Sequence, residues 1–128
     1  MGSFQDIRAG DFIGEYDFYV DPDLVDRWKR DYPSAADFDE RMPVSLVTVV
    51  QLKALLAIVP QRPAGTVTAG QEFEIFHRPP IGATLRVTAD CVSREIRSDR
   101  EWVKIRFIAR DDTKQVVFAG VNTLVPPK

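Results

Sequence analysis

From Thr66 onward, hydrophobic and polar positions alternate with a period close to two, the signature of strands with one dry and one wet face. "TLRVTADCVSREI" puts Leu85, Val87, Ala89 and Cys91 on one side and then breaks step at Val92, which predicts a bulge. "EWVKIRFIAR" turns Val103, Ile105, Phe107 and Ala109 inward and Lys104, Arg106 and Arg110 outward. "TVTAGQEFEIFHR" gives Val67, Ala69, Phe73, Ile75 and His77 a shared parity, and "QVVFAGVNTLV" reads as a last strand. "IRSDRE" and "RDDTKQ" supply the turns between them.

The first half follows another rhythm. Phe12 to Val20 reads as an aromatic-rich strand. Asp21-Pro22 then offers an N-cap followed by proline in a first helical turn, and "DLVDRWKR" places Leu24, Val25 and Trp28 on one side of a short helix. Asp31-Tyr32-Pro33 ends it. After the acidic loop "SAADFDERMP" comes Val44 to Val59, long enough for a helix and apolar nearly all round except for Ser45, Thr48, Gln51 and Lys53. Such a helix is expected to be buried nearly all round. The fold class is therefore α+β: a curved antiparallel sheet wrapped around one central apolar helix, in a single domain over residues 1–128. A short flexible N-terminus and a proline-rich tail at Pro126-Pro127-Lys128 flank it.

Composition narrows the classes. Apolar residues make up 45% of 128 and charged residues 28%, enough for a core and a wet surface. A net charge of −2 with no basic run argues against a nucleic-acid face. The apolar stretch from Val44 is short of the roughly 20 residues of a membrane span, and no signal peptide is visible at the start, so a cytoplasmic location is expected. Cys91 stands alone, which leaves no intramolecular disulfide and no cysteine-based metal site. It reads as a small core residue, since a thiol nucleophile needs a base beside it. His77 is the sole histidine, the side chain whose ordinary pKa lies nearest neutrality.

The ordered series "YDFYVDPDLVDRW", "MPVSLVTVVQLKALL", "AGQEFEIFHRPPIGATLRV" and "VFAGVNTLVP" resembles the MaoC-like hotdog dehydratases and hydratases, over about Phe4 to Pro126. Phe73, Ile75, Arg78, Pro79, Gly82 and Leu85 match that family's strand–turn–strand after the central helix, while Ala83 replaces its frequent acid. The resemblance implies a hotdog fold, a place in fatty acid metabolism, and acyl groups held as thioesters of coenzyme A or acyl carrier protein. It implies that the thioester is a substrate carrier and not a tightly bound cofactor. It also implies a homodimer or a heterodimer with another hotdog subunit.

Catalytic members of the family carry an Asp and a His just before the helix, and together they add or remove water across a carbon–carbon double bond. The corresponding "RDYPSAADFDERMP" contains no histidine; the family's Asp falls near Ser34 and its His near Asp39. Asp31, Asp37, Asp39 and Glu40 remain. Two roles follow. The chain resembles a non-catalytic half that binds an acyl thioester or completes a partner's acyl tunnel. Alternatively, it is an enoyl-CoA hydratase or 3-hydroxyacyl dehydratase with a displaced pair, Asp31 or Asp39 with His77. A hotdog thioesterase ranks below both, because the central helix offers no carboxylate.

Candidate substrate-binding residues are Ser45, Thr48, His77 and Arg78. Each has a plainer reading beside the functional one. Ser45 and Thr48 bond back to the helix or polarise a thioester carbonyl, with Gln51 meeting a partner subunit. His77 ends a strand on its core side or stands at the groove rim. Arg94, Arg97, Arg100, Lys104, Arg106 and Arg110 populate the wet sheet face or meet coenzyme A phosphates.

Overall fold

The computed structural model describes residues 3–32 and 40–128. Strand β1, Phe12–Tyr19, is followed by helix α1, Pro22–Asp31, and helix α2, Val47–Ile58. Strands β2, Val67–Ile75, β3, Thr84–Arg97, β4, Arg100–Arg110, and β5, Val116–Val125, complete one antiparallel sheet in the order β1-β3-β4-β5-β2. The α+β architecture, with a curved sheet against a central helix, is thus as the alternation predicts.

One sheet face is apolar because the strand parities agree across the register. Val87 pairs with Ala109 and Ala89 with Phe107, and Phe107 in turn pairs with Gly120. These residues are buried with Leu85, Cys91, Val103, Ile105, Phe118 and Leu124 against Val47, Val50, Ala54 and Leu55 of α2. Two glycines let the helix come this close. A Cβ on Gly14 would lie 3.0 Å from Ile58 Cγ2, and one on Gly120 would overlap Gln51 Oε1.

The bulge expected at Val92 is present: β3 slips register against β4 between Cys91 and Ser93. A second bulge, between Thr68 and Gly70 of β2, went unread in the sequence. It makes Ala69 the extra residue, so Thr68, not Val67, shares the helix-facing parity of Gln71 and Phe73. β2 also ends at Ile75, two residues before the expected strand-end His77. The β3–β4 turn places Ser98 and Asp99 at φ 52° and 63°, the left-handed pair that matches the strands' twist in a two-residue hairpin.

The sheet does not wrap α2 as its composition demands. Residues 44–59 begin as a 3-10 turn, Val44–Leu46, before α2 proper. Val47, Val50, Gln51, Ala54 and Leu55 are buried, but Val44, Leu52 and Leu56 are exposed, Leu56 by 62%. A single five-stranded sheet covers one side of a helix, and among the described residues nothing fully covers Val44, Leu52 and Leu56 on the other. The N-terminal stretch, read as a flexible end, puts Phe4 and Ile7 fully into the core. Among the described residues, no helix is long and apolar enough to cross a membrane.

Candidate functional site

Of the sequence's candidates, Ser45, Thr48 and Arg78, with His77 next to it, lie at the end of the sheet where α2 starts. After β2, residues 76–82 lie against residues 40–42, the last stretch before the helix. Pro79 and Pro80 have no N–H to give, so this segment offers carbonyls and takes its donors from elsewhere. Met42 N donates to Pro79 O at 2.8 Å, and Ile81 N to Glu40 O at 2.9 Å. Arg78 Nε donates to Met42 O at 2.9 Å, and its terminal nitrogen to Arg41 O at 3.3 Å. Arg41 returns a bond to Arg78 O at 2.8 Å. Arg78 therefore ties the post-β2 segment to the entry of the central helix.

His77 sits one residue before this tie. Its Nε2 is 3.3 Å from Asp111 Oδ2, in the β4–β5 turn, at an angle too oblique for an aligned hydrogen bond. The other oxygen of Asp111 accepts from Thr113 Oγ1 at 2.7 Å, Thr113 N at 2.9 Å and Gln115 N at 3.0 Å. The Thr113 hydroxyl leads these in holding the Asp111 carboxyl below its usual range, with the nearby His77 adding a smaller pull. Sequence reasoning missed Asp111. The only signal was "RDDTKQ", an Asp-rich turn, and nothing local placed that turn beside the end of β2.

Asp31 is the last residue of α1, and the carboxylate at His77 is Asp111 instead. Asp37 and Asp39 lie outside the described residues. Ser45 Oγ accepts from Trp28 Nε1 at 3.0 Å, which docks α1 on the start of α2; Thr48 Oγ1 donates back to Ser45 O at 2.9 Å. Thr48 thus makes the local back-bond of the plainer reading, whereas Ser45 is engaged by the side chain of another helix. Gln51 does not reach out to a partner: it is fully buried, and its Nε2 donates to Asn122 Oδ1 at 2.8 Å.

The expected wet-face arginines divide. Arg106 forks Asp90, with contacts of 3.2 and 2.9 Å, and Arg97 lies over the Trp102 ring. Arg94 leaves the group. Its side chain is only 11% exposed, grips both oxygens of Glu101, and donates to Phe4 O and Ile7 O at 2.7 and 2.9 Å. Cys91 is buried, and desolvation pushes its thiol above the usual range, the opposite of an activated nucleophile. Among the described residues, no group of three His, Cys, Asp or Glu is arranged to hold a metal.

No family model matches the sequence, and no curated protein matches it. Solved structures do. A MaoC-like dehydratase from Rhodospirillum rubrum superposes with a TM-score of 0.81 at 16% identity, covering 98% of this chain and 97% of that one. The fold is a hotdog.

Two further hotdog structures agree. The HadBC 3R-hydroxyacyl-ACP dehydratase complex from Mycobacterium tuberculosis, truncated at a C terminus, has a TM-score of 0.74 at 22% identity, over 94% of this chain and 97% of that one. R-hydratase PhaJ1 from Pseudomonas aeruginosa, unliganded, has a TM-score of 0.71 at 16% identity, over 98% and 86%. At these identities the shared property is the hotdog fold itself. Activity has to be argued from this chain's own residues.

Proposed function

We propose that this hotdog chain holds an acyl thioester, carried by coenzyme A or acyl carrier protein, beside the start of α2, and that it does so paired with a second hotdog subunit. The supporting observation is the convergence, at one end of the sheet, of the helix start with the Arg78-tied segment that bears His77. A helix N-terminus favours negative charge, which is what a thioester carbonyl oxygen gains when the carbon beside it reacts. The exposed Leu52 and Leu56 support a subunit partner, because burying the half of each that is still exposed would contribute about 1 kcal/mol or somewhat more. HadBC, a complex of the same fold, supports that pairing by analogy.

The chain serves chiefly as a binding and tunnel-completing half, since "RDYPSAADFDERMP" lacks the histidine of the resembled dyad. The test is hydration of short and long enoyl-CoA by the purified chain, alone and with the protein encoded beside it. Binding without turnover alone, and turnover with the partner, is expected. Absence of binding in both settings would end the acyl-groove reading.

A second reading rests on the His77–Asp111 contact. A ring rotation that aligned this 3.3 Å contact would let the carboxylate orient the imidazole and leave the other nitrogen for proton transfer, so the pair could do the acid–base work of hydration. Turnover by the chain alone, lost in both His77→Gln and Asp111→Asn, would establish it.

A further inference from the structure

The sheet face turned away from α2 carries an unbalanced row. Its cross-strand pairs alternate down β3 and β4: Asp90 faces Arg106, Thr88 faces Ile108, and Arg86 faces Arg110. The first pair is complementary and bonded. The last sets two arginines at directly opposite positions, an arrangement that destabilises a sheet unless something negative lies between or beside them.

Strand β1 supplies negative charge to one of the two. Asp17, opposite Arg86, takes contacts of 3.0 and 3.3 Å from it, and Glu15 stands 3.8 Å from its remaining nitrogen. Arg110 lies on the far side of Arg86 from β1. It is half-buried, and among the described residues no carboxylate comes within ion-pair distance of it.

The β4–β5 turn then folds over this row. Arg110, Asp111, Asp112 and Lys114 line a cleft of about 390 Å³ with Thr84, Arg86, Thr88 and Asp17. Of the three carboxylates, Asp17 is engaged by Arg86. Asp111 is engaged by Thr113, Gln115 and His77. Asp112, Arg110 and Lys114 complete the lining, and none of the three makes an ion pair among the described residues. Lys114 is held at φ 68°, in the left-handed region, by its bond from N to Asp111 O at 2.9 Å.

We propose that this cleft binds a phosphate or diphosphate group, seated between Arg110 and Lys114 with Arg86 behind it. Arginine is suited to this because its planar fork matches two phosphate oxygens at once. The Thr84 hydroxyl adds a neutral donor, while the Thr88 hydroxyl donates at 3.5 Å to Ile108 O. The cleft lies at the same end of the sheet as the start of α2, and His77 and Asp111 connect the two. That the phosphate belongs to coenzyme A or a phosphopantetheine arm rests on the thioester reading above; the anion site does not.

Three probes separate these claims. Inorganic diphosphate, titrated into labelled protein, should shift the backbone amide signals of residues 110–114. Arg110→Gln should weaken that binding about tenfold or more, while Arg97→Gln, a charge loss on the distal hairpin, should leave it intact. Equal binding by the wild type and Arg110→Gln, or shifts elsewhere only, would overturn the site. Coenzyme A should bind more tightly than pantetheine, which lacks the phosphates, and Arg110→Gln should erase the difference. If diphosphate binds in the cleft while coenzyme A and pantetheine bind alike, the ligand is free phosphate and the carrier assignment falls. If diphosphate binds but neither thiol nor any acyl-CoA does, the thioester reading fails and the anion site stands.

Discussion

Gln51 of α2 and Asn122 of β5 meet in the core, amide to amide at 2.8 Å, both fully buried. The contact is a register peg. It fixes which turn of the helix lies over which residue of β5, and Gly120 makes room for it, since a side chain there would occupy the place of Gln51 Oε1. Gly120→Ala should therefore destabilise by about 1–3 kcal/mol through overpacking. Gln51→Ala should cost at least as much, because it strands Asn122 and opens a cavity. Urea unfolding midpoints measure both. A Gly120→Ala protein as stable as the wild type would refute the peg.

The exposed stripe on α2 predicts association. Gel filtration with light scattering at micromolar concentration should find the purified chain as a dimer, or as a dimer once its subunit partner is added. Leu52→Lys with Leu56→Lys should dissociate it while far-ultraviolet circular dichroism stays unchanged, because both side chains are already outside the monomer's core. A clean monomer with every partner tried would remove the pairing from the proposal.

Arg94 is expected to act as the strut of the N-terminal stretch. Arg94→Met keeps much of the volume but takes from Phe4 O and Ile7 O their shortest donor, leaving only Ile7 N and Arg8 Nη1 on them, and leaves Glu101 without the Arg94 guanidinium. A loss of about 1.5–3 kcal/mol is expected. Hydrogen exchange should locate it, with faster exchange at residues 4–11 before the rest of the sheet responds.

Acid should unfold the protein through its paired carboxylates. The Arg94 hydrogen bonds hold Glu101 below its ordinary pKa, and the Arg86 bond does the same for Asp17. A group with a depressed folded pKa lends its stability above the unfolded value, about 4.3 for Glu, and loses it as pH falls through the folded one. The urea midpoint should thus hold from neutrality to about pH 5 and drop below about pH 4. Glu101→Gln should flatten part of that drop. An equally steep acid limb in Glu101→Gln would show that Glu101 contributes nothing to it.

Cys91 should be inert in the native state. Burial raises its thiol pKa and blocks approach, so a disulfide reagent at pH 7 should label it only in denaturant. Rapid native labelling would contradict the packing of β3.

Period-two and helical patterns are local, and they determined much. The four strands of the second half, the inward rows from Leu85 to Cys91 and from Val103 to Ala109, the bulge at Val92 and the Asp21 cap could all be read from neighbours a few residues apart. So could the likeness to the hotdog fold, which an ordered series of such elements carries. The Ala69 bulge could not, because "TVTAGQEFEI" keeps its apparent alternation while the pairing with β5 slips by one.

The layout of the candidate site was decided by contacts across the chain. His77 meets Asp111, Arg78 meets the carbonyls of residues 41 and 42, and Gln51 turns inward to Asn122, separations that no sequence period encodes. Arg86 and Arg110 each sit at an ordinary outward position of an alternating strand. Only the register of β3 against β4 sets the two like charges face to face, because hydrogen bonding between distant strands, not local preference, fixes which side chains share a cleft.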